Sequence, residues 1–177
     1  MAVNLSPVQV RRGTLEQDVM AALDASGLVP SALELEFTES LLIVDNQPLR
    51  ELLLRLRTLG VRFAIDDFGT GYSNLGYLQS FECQRLKIDQ RFVRRMLANG
   101  NDEAIVRAIV QMAQALQLGV VAEGIEDAQT LARLREIGCQ EGQGFHWSPA
   151  LPPGEFAAYA RLAAQRVLAS GEPATLC

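Results

Sequence analysis

Val61-Arg62-Phe63-Ala64-Ile65-Asp66-Asp67-Phe68-Gly69-Thr70-Gly71 joins an apolar run to two aspartates and a glycine-punctuated loop. Residues 61–66 read as a buried strand, because a short run rich in β-branched and aromatic residues suits a parallel strand covered on both faces. Two carboxylates end the run and two glycines punctuate the loop beyond it. Neighbouring residues on a strand point to opposite faces, so two aspartates that serve one ligand require the chain to twist at the strand end. Gly69 and Gly71 provide backbone conformations that other residues resist and let the loop approach a ligand closely. An Asp ahead of a helix is also an ordinary N-cap. The doubled acid, the paired glycines and similar acids at other strand ends favour a site.

The same pattern recurs along the chain. Asn4 closes Ala2-Val3, and Glu36 sits in Leu33-Glu34-Leu35-Glu36-Phe37 with Glu39 shortly after it in the following loop. Glu123 ends Gly119-Val120-Val121-Ala122, and Gln143, between Gly142 and Gly144, follows the weaker run at Cys139. Lys87, inside Arg85-Leu86-Lys87-Ile88-Asp89, adds a cation. Charges are costly to bury, so a recurring set at strand ends points to a shared site. Oxygen-bearing residues with one lysine suit hard divalent cations and an anionic substrate. Lys87 is a candidate to orient a nucleophilic water or neutralise a phosphate oxygen. Glu123 is a better ligand candidate than Glu126, which reads as a cap or support. Taken singly, Glu36 and Glu39 would be ordinary solvated or capping acids, Lys87 a surface lysine and Gln143 a turn residue.

The chain alternates such runs with helical patterns. Strands are predicted at residues 2–6, 33–37, 61–66, 85–88, 119–122 and 139–145. Helices are predicted from Thr14 to Ser26, from Pro48 to Gly60, briefly through Leu75 and Leu78, from about Asp102 to Leu118, from Ala128 to Ile137, and from Pro153 onward. Six βα units in succession require parallel strands joined by crossovers, hence a doubly wound sheet or a barrel. Functional side chains at nearly every strand end, with no GxGxxG turn after the first strand, favour the barrel. A (β/α)8 barrel normally takes about 250 residues and eight units, two units more than are legible here. The expected organisation is one domain over 1–177, with a core at 2–165 and a tail at 166–177.

Composition excludes several classes. A chain of 177 residues, 49% hydrophobic, is globular and large enough for one core. Its net charge of −5 argues against duplex nucleic acid as partner. No apolar stretch reaches membrane-spanning length and no signal peptide is visible, so a cytoplasmic setting is expected. Three scattered cysteines form no CxxC pair, which suits free thiols rather than zinc. His146, the one histidine, lies beside Trp147 and makes Ser-His-Asp or Cys-His chemistry a poor fit. On these grounds alone a carboxylate-rich metal barrel is indicated, an enolising enzyme among the alternatives.

Asn4-Leu5-Ser6, Leu35-Glu36-Phe37-Thr38-Glu39, Asp66 through Ser73, Leu86-Lys87-Ile88-Asp89, Ala122-Glu123-Gly124-Ile125-Glu126 and Gly142-Gln143-Gly144-Phe145 together resemble the EAL domain family, bacterial phosphodiesterases that open cyclic di-GMP. The order and spacing agree to about Pro152. The resemblance implies a TIM-like (β/α)8 barrel of the EAL type, with one antiparallel strand, and a Mg2+ or Mn2+ site of two metals in the complete domain. It implies that Asn4, Glu36, Asp66 and Asp67 are metal ligands and that Lys87 is the catalytic lysine near the attacking water. Glu123 then supports metal and water, Gln143 places water or substrate, and Glu39 anchors the loop from Asp66 to Ser73, which in the family couples dimer contact to metal binding. The implied reaction gives linear pGpG. The implied partners are cyclic di-GMP, a second copy in a homodimer, and an upstream sensory or GGDEF-type domain in the parent protein.

The Glu-Ala-Leu tripeptide, which precedes Asn-Leu-Ser in the family, is absent, and with it about two strands, a metal-ligand glutamate and an arginine that contacts the dinucleotide. Phe145 to Pro152 also departs from the family's usual Tyr-x-x-Ser-Lys-Pro-Leu. The expectation is a partial domain, weak or inactive alone. The alternative is a non-catalytic module that binds cyclic di-GMP or another protein.

Overall fold

Glutamate alternates with leucine and phenylalanine in Glu34-Leu35-Glu36-Phe37, and all four residues are buried. That combination needs a strand with a polar concave face and an apolar face covered by helices. The computed structural model describes residues 1–42, 47–71, 78 and 83–170, and these fall into two units, one ending at Lys87 and one beginning at Ile88.

In the first unit β1 (Ala2–Asn4), β2 (Glu34–Thr38) and β3 (Arg62–Phe68) run parallel. Asn4 stands opposite Glu36, Glu36 opposite Ala64, and Thr38 opposite Asp66. β4 (Arg85–Ile88) follows β3 in the sheet, and Gln84 N–H donates to the Phe63 carbonyl. Ser6 caps α1 (Pro7–Arg12) through a capping box with Gln9. Helix α2 (Leu15–Ser26) buries Leu15, Val19 and Leu23 at helical spacing. A 3-10 turn (Pro30–Ala32) leads into β2, and α3 (Glu39–Leu42) follows it. Helix α4 (Gln47–Thr58) buries Leu49, Leu53 and Leu56. The apolar side of the strands holds Leu35, Phe37, Phe63 and Ile65, with the Phe37 and Phe63 rings 6.1 Å apart and tilted by 50°.

In the second unit Asp89 caps α5 (Gln90–Arg95), and α6 (Gly100–Ala115) buries Val106, Ile109, Val110 and Ala113. Strand β5 (Gly119–Ala122) is followed by α7 (Ala128–Ile137), and β6 (Glu141–Gly142) pairs parallel with β5. Ile88, the last residue of β4, accepts a hydrogen bond from Glu123 N–H. Helix α8 (Pro153–Ser170) closes the described chain.

Among the described residues all six expected strands are present, in a parallel α/β arrangement, most with shifted ends. β1 stops at Asn4, two residues early, because Ser6 and Pro7 start a helix that hydrophobic periodicity did not reveal. β3 runs two residues further, so Asp66 and Asp67 lie within the strand and Asp67 takes the left-handed φ of 54°. That turn is the twist required of tandem aspartates, and Asp tolerates it better than most residues. Glu39 opens helix α3 instead of lying in a loop, where an acid in the first turn is favourable. Helix α5 was unforeseen as well. β6 shrinks to two residues because the glycines beside Gln143 serve a clamp described below. The helix read through Leu75 and Leu78 lies outside the described residues except for Leu78, which is helical and buried. Among the described residues no helix is long and apolar enough to cross a membrane.

Candidate active site

Lys87 is 5% exposed. It donates to Glu36 Oε2 at 2.7 Å, and its Nζ lies 3.1 Å from Asp66 Oδ1. A buried ammonium carries a desolvation cost of several kcal/mol unless it is paired, and two carboxylates supply the pairing here. Ala64, opposite Glu36 on the intervening strand, has the smallest side chain that keeps the strand intact and leaves room for the bridge to cross. The surface reading of Lys87 therefore does not hold. One sequence signal could have shown this: all fifteen other basic residues are arginines, and Lys87 is the sole lysine. A compact ammonium fits between two carboxylates where a planar guanidinium, with its fork of donors, does not.

The other first-unit candidates gather around this pair to different degrees. Asn4 is beside Glu36 by strand register and is exposed, like the rest of β1. Asp66 Oδ1 accepts the Asp67 N–H at 3.0 Å, and Thr70 Oγ1 donates to the Asp67 carbonyl at 2.9 Å, which holds the turn in shape. Asp67 itself is exposed. Glu39 is buried, and neither carboxylate oxygen has a hydrogen-bond partner among the described residues. A Cβ on Gly71 would stand 3.2 Å from Glu39 Oε2, so glycine lets the loop backbone lie against this carboxylate. Asn4, Glu36, Asp66 and Asp67 bring one carboxamide and three carboxylates from three neighbouring strands, oxygen donors that fit a hard divalent cation.

In the second unit Gln143 Nε2 donates to Glu123 Oε1 at 2.7 Å. A backbone clamp fixes the pair: Ile125 N–H donates to the Gln143 carbonyl, Gln143 N–H to Ala122, and His146 N–H to Ile125. Glycine is required at 144, where a Cβ would fall 2.1 Å from the Ile125 carbonyl oxygen. Beside Glu123 and Gln143 opens a cavity of about 430 Å3, whose walls include Gln90, Arg94, Phe145 and Trp147. Phe145 is 64% exposed at the edge of this cavity. No residue of this rim of aromatic and polar groups stands out in the sequence, apart from Glu123 and Gln143. His146 packs edge-on against Trp147. Cys83 and Cys139 are buried free thiols whose pKa burial pushes up to about 11, so neither is a nucleophile at neutral pH.

With this geometry in place, the comparisons with known proteins are decisive. The sequence model of the EAL domain matches residues 1–150. The chain belongs to the EAL domain family. It is 45% identical over 152 residues to the cyclic di-GMP phosphodiesterase NbdA of Pseudomonas aeruginosa, a match that covers 86% of this chain and 19% of that protein. Its structure is similar to that of the PaMucR phosphodiesterase in complex with c-di-GMP, with a TM-score of 0.83 and 40% identity over 88% of this chain and 63% of that one. It is also similar to Klebsiella pneumoniae BlrP1 in a calcium and cyclic di-GMP complex, with a TM-score of 0.77 and 36% identity over 84% of this chain and 38% of that one. These likenesses carry the fold class of the EAL type, a TIM-like barrel. The chain spans only 18% and 19% of two of the curated relatives it matches.

Proposed function

We propose that this EAL domain chain supplies the metal-binding carboxylates and catalytic lysine for hydrolysis of cyclic di-GMP to linear pGpG. The observation that carries the reading is Lys87, the sole lysine, buried and bridging Glu36 and Asp66. Asn4, Glu36, Asp66 and Asp67 would hold Mg2+ or Mn2+. Such cations lower the pKa of bound water and neutralise phosphate charge. The Lys87 ammonium has three donors and no acceptor, so it orients a water or phosphate oxygen without taking up a proton. Glu123, held by Gln143, accepts hydrogen bonds from water and supports the metal site, while Gln143 places water or substrate. Phe145 and Trp147 offer faces on which a base can stack, with Gln90 and Arg94 as polar partners.

Glu39, against Gly71, anchors the loop that begins at Gly69 and couples it to a homodimer contact. The domain reading, 1–177 with its core at 2–165, and a cytoplasmic parent with a sensory or GGDEF-type domain upstream, belong to the same proposal. Among the described residues β1 bonds to one neighbouring strand, β2, and is exposed at all three residues. Asn4 is therefore held less firmly than Glu36, and the 177-residue chain alone is expected to turn over slowly.

The test is incubation of the chain with cyclic di-GMP and Mg2+ or Mn2+, with chromatographic detection of pGpG. Slow formation of pGpG that is lost in Lys87→Met supports the reading. Cyclic di-GMP bound but not cleaved, in this chain and in a longer form of it, would make the protein a receptor instead.

A further inference from the structure

A second ion pair lies one pleat below Lys87 and Glu36. Glu34 is 6% exposed, and its two carboxylate oxygens lie 3.4 and 3.3 Å from Arg85 Nη1. Glu34 and Glu36 occupy alternate positions of β2, and Arg85 and Lys87 occupy alternate positions of β4, so both pairs share the concave face. Each pair links residues 51 apart in sequence. β3 lies between these two strands, and no backbone ladder sets β2 directly against β4. Side chains reaching across β3 do so.

We infer that Glu34 and Arg85 are positioning residues for Lys87. Two acids and two bases stacked at a spacing of about 6.6 Å can pair straight across or along the diagonal. Arg85 engages Glu34 and so leaves Lys87 to Glu36 and Asp66. Without Arg85, Glu34 is a buried carboxylate that has lost its ion-pair partner, Arg62 opposite it on β3 being the other cation on that face, and the flexible lysine stem can swing toward it. Without Glu34, the Arg85 guanidinium competes with Lys87 for Glu36. Removing both charges takes away the acid that would draw Lys87 and the base that would draw Glu36, while Arg62 is the same in every variant, and Lys87 stays in place. This arrangement rests on the proposed role of Lys87, but the bond between Lys87 and Glu36 is observable whether or not the chain is a hydrolase.

The experiment uses the single lysine. In the 177-residue chain labelled with 15N-lysine, the side-chain ammonium gives one resonance, read by proton–nitrogen correlation. Arg85→Met and Glu34→Gln are each expected to shift that resonance and speed its solvent exchange. The double variant is expected to return it to the wild-type position. Circular dichroism identifies which variants are folded, and if one single variant unfolds, the other and the double variant carry the test. A resonance unmoved in a folded single variant, or displaced in the double variant as far as in the singles, would overturn the inference. Failure of the hydrolysis assay with the resonance behaving as described would instead sink the catalytic reading and leave the positioning pair standing.

Discussion

At position 87 the chain departs from its own habit, since every other cation it carries is an arginine. The physical reason is the hole between Glu36 and Asp66, which admits an ammonium and excludes a fork. Lys87→Arg therefore keeps the charge but is expected to lower hydrolysis of cyclic di-GMP at least about a hundredfold, in line with the loss of a group that stabilises the reacting phosphate. Steady-state kinetics of the variant and wild type check this, with circular dichroism to show that the variant folds. An arginine variant retaining most of the activity would mean that only the charge matters. The sequence offered this residue plainly, yet its burial was not readable there, because a lysine between two apolar residues is equally at home on a half-exposed strand.

Among the elements, strand interiors were legible and ends were not. Val120 and Ala122 on β5, or Leu86 and Ile88 on β4, are recognisable by apolar character alone. Where β1 stops depends on Ser6 accepting a hydrogen bond from Val8 N–H, and where β6 stops depends on Ile125 pressing against Gly144. Helix α7 shows how a local cap sets a pH dependence. Asp127 accepts hydrogen bonds from Thr130 N–H at 2.8 Å and from its hydroxyl at 2.9 Å. The Thr130 backbone N–H chiefly, then its hydroxyl, hold the carboxyl below its usual pKa. A depressed folded pKa gives stability that is present above the unfolded value of about 3.9 and lost as pH falls through the folded value. Asp127→Ala is thus expected to lower the unfolding midpoint at pH 7, and the gap to wild type is expected to close toward pH 2. Thermal melts followed by circular dichroism across that range decide it, and a gap independent of pH would assign the effect to helix propensity alone.

For the molecule as a whole, the metal is expected to act on stability as well as on chemistry. Glu36 and Asp66 stand close enough to share one lysine, and a divalent cation bound by the folded chain alone must stabilise it. At a hundredfold excess over Kd the gain is about 2.7 kcal/mol. Mn2+ is expected to raise the melting temperature of the wild type but not of Asp66→Asn/Asp67→Asn, as read by scanning calorimetry. Equal shifts in both would place the metal elsewhere. The parallel α/β class, the strand interiors and the acids that interrupt or follow them are written in the amino-acid sequence, because apolar runs and the polar residues set among them are local features. The burial of Lys87 between Glu36 and Asp66, the hold of Gln143 on Glu123 and the second layer of Glu34 and Arg85 arise in the folded chain alone. Those pairings join residues 20 to 51 positions apart, and the desolvation that makes them obligatory exists only after the strands have come together.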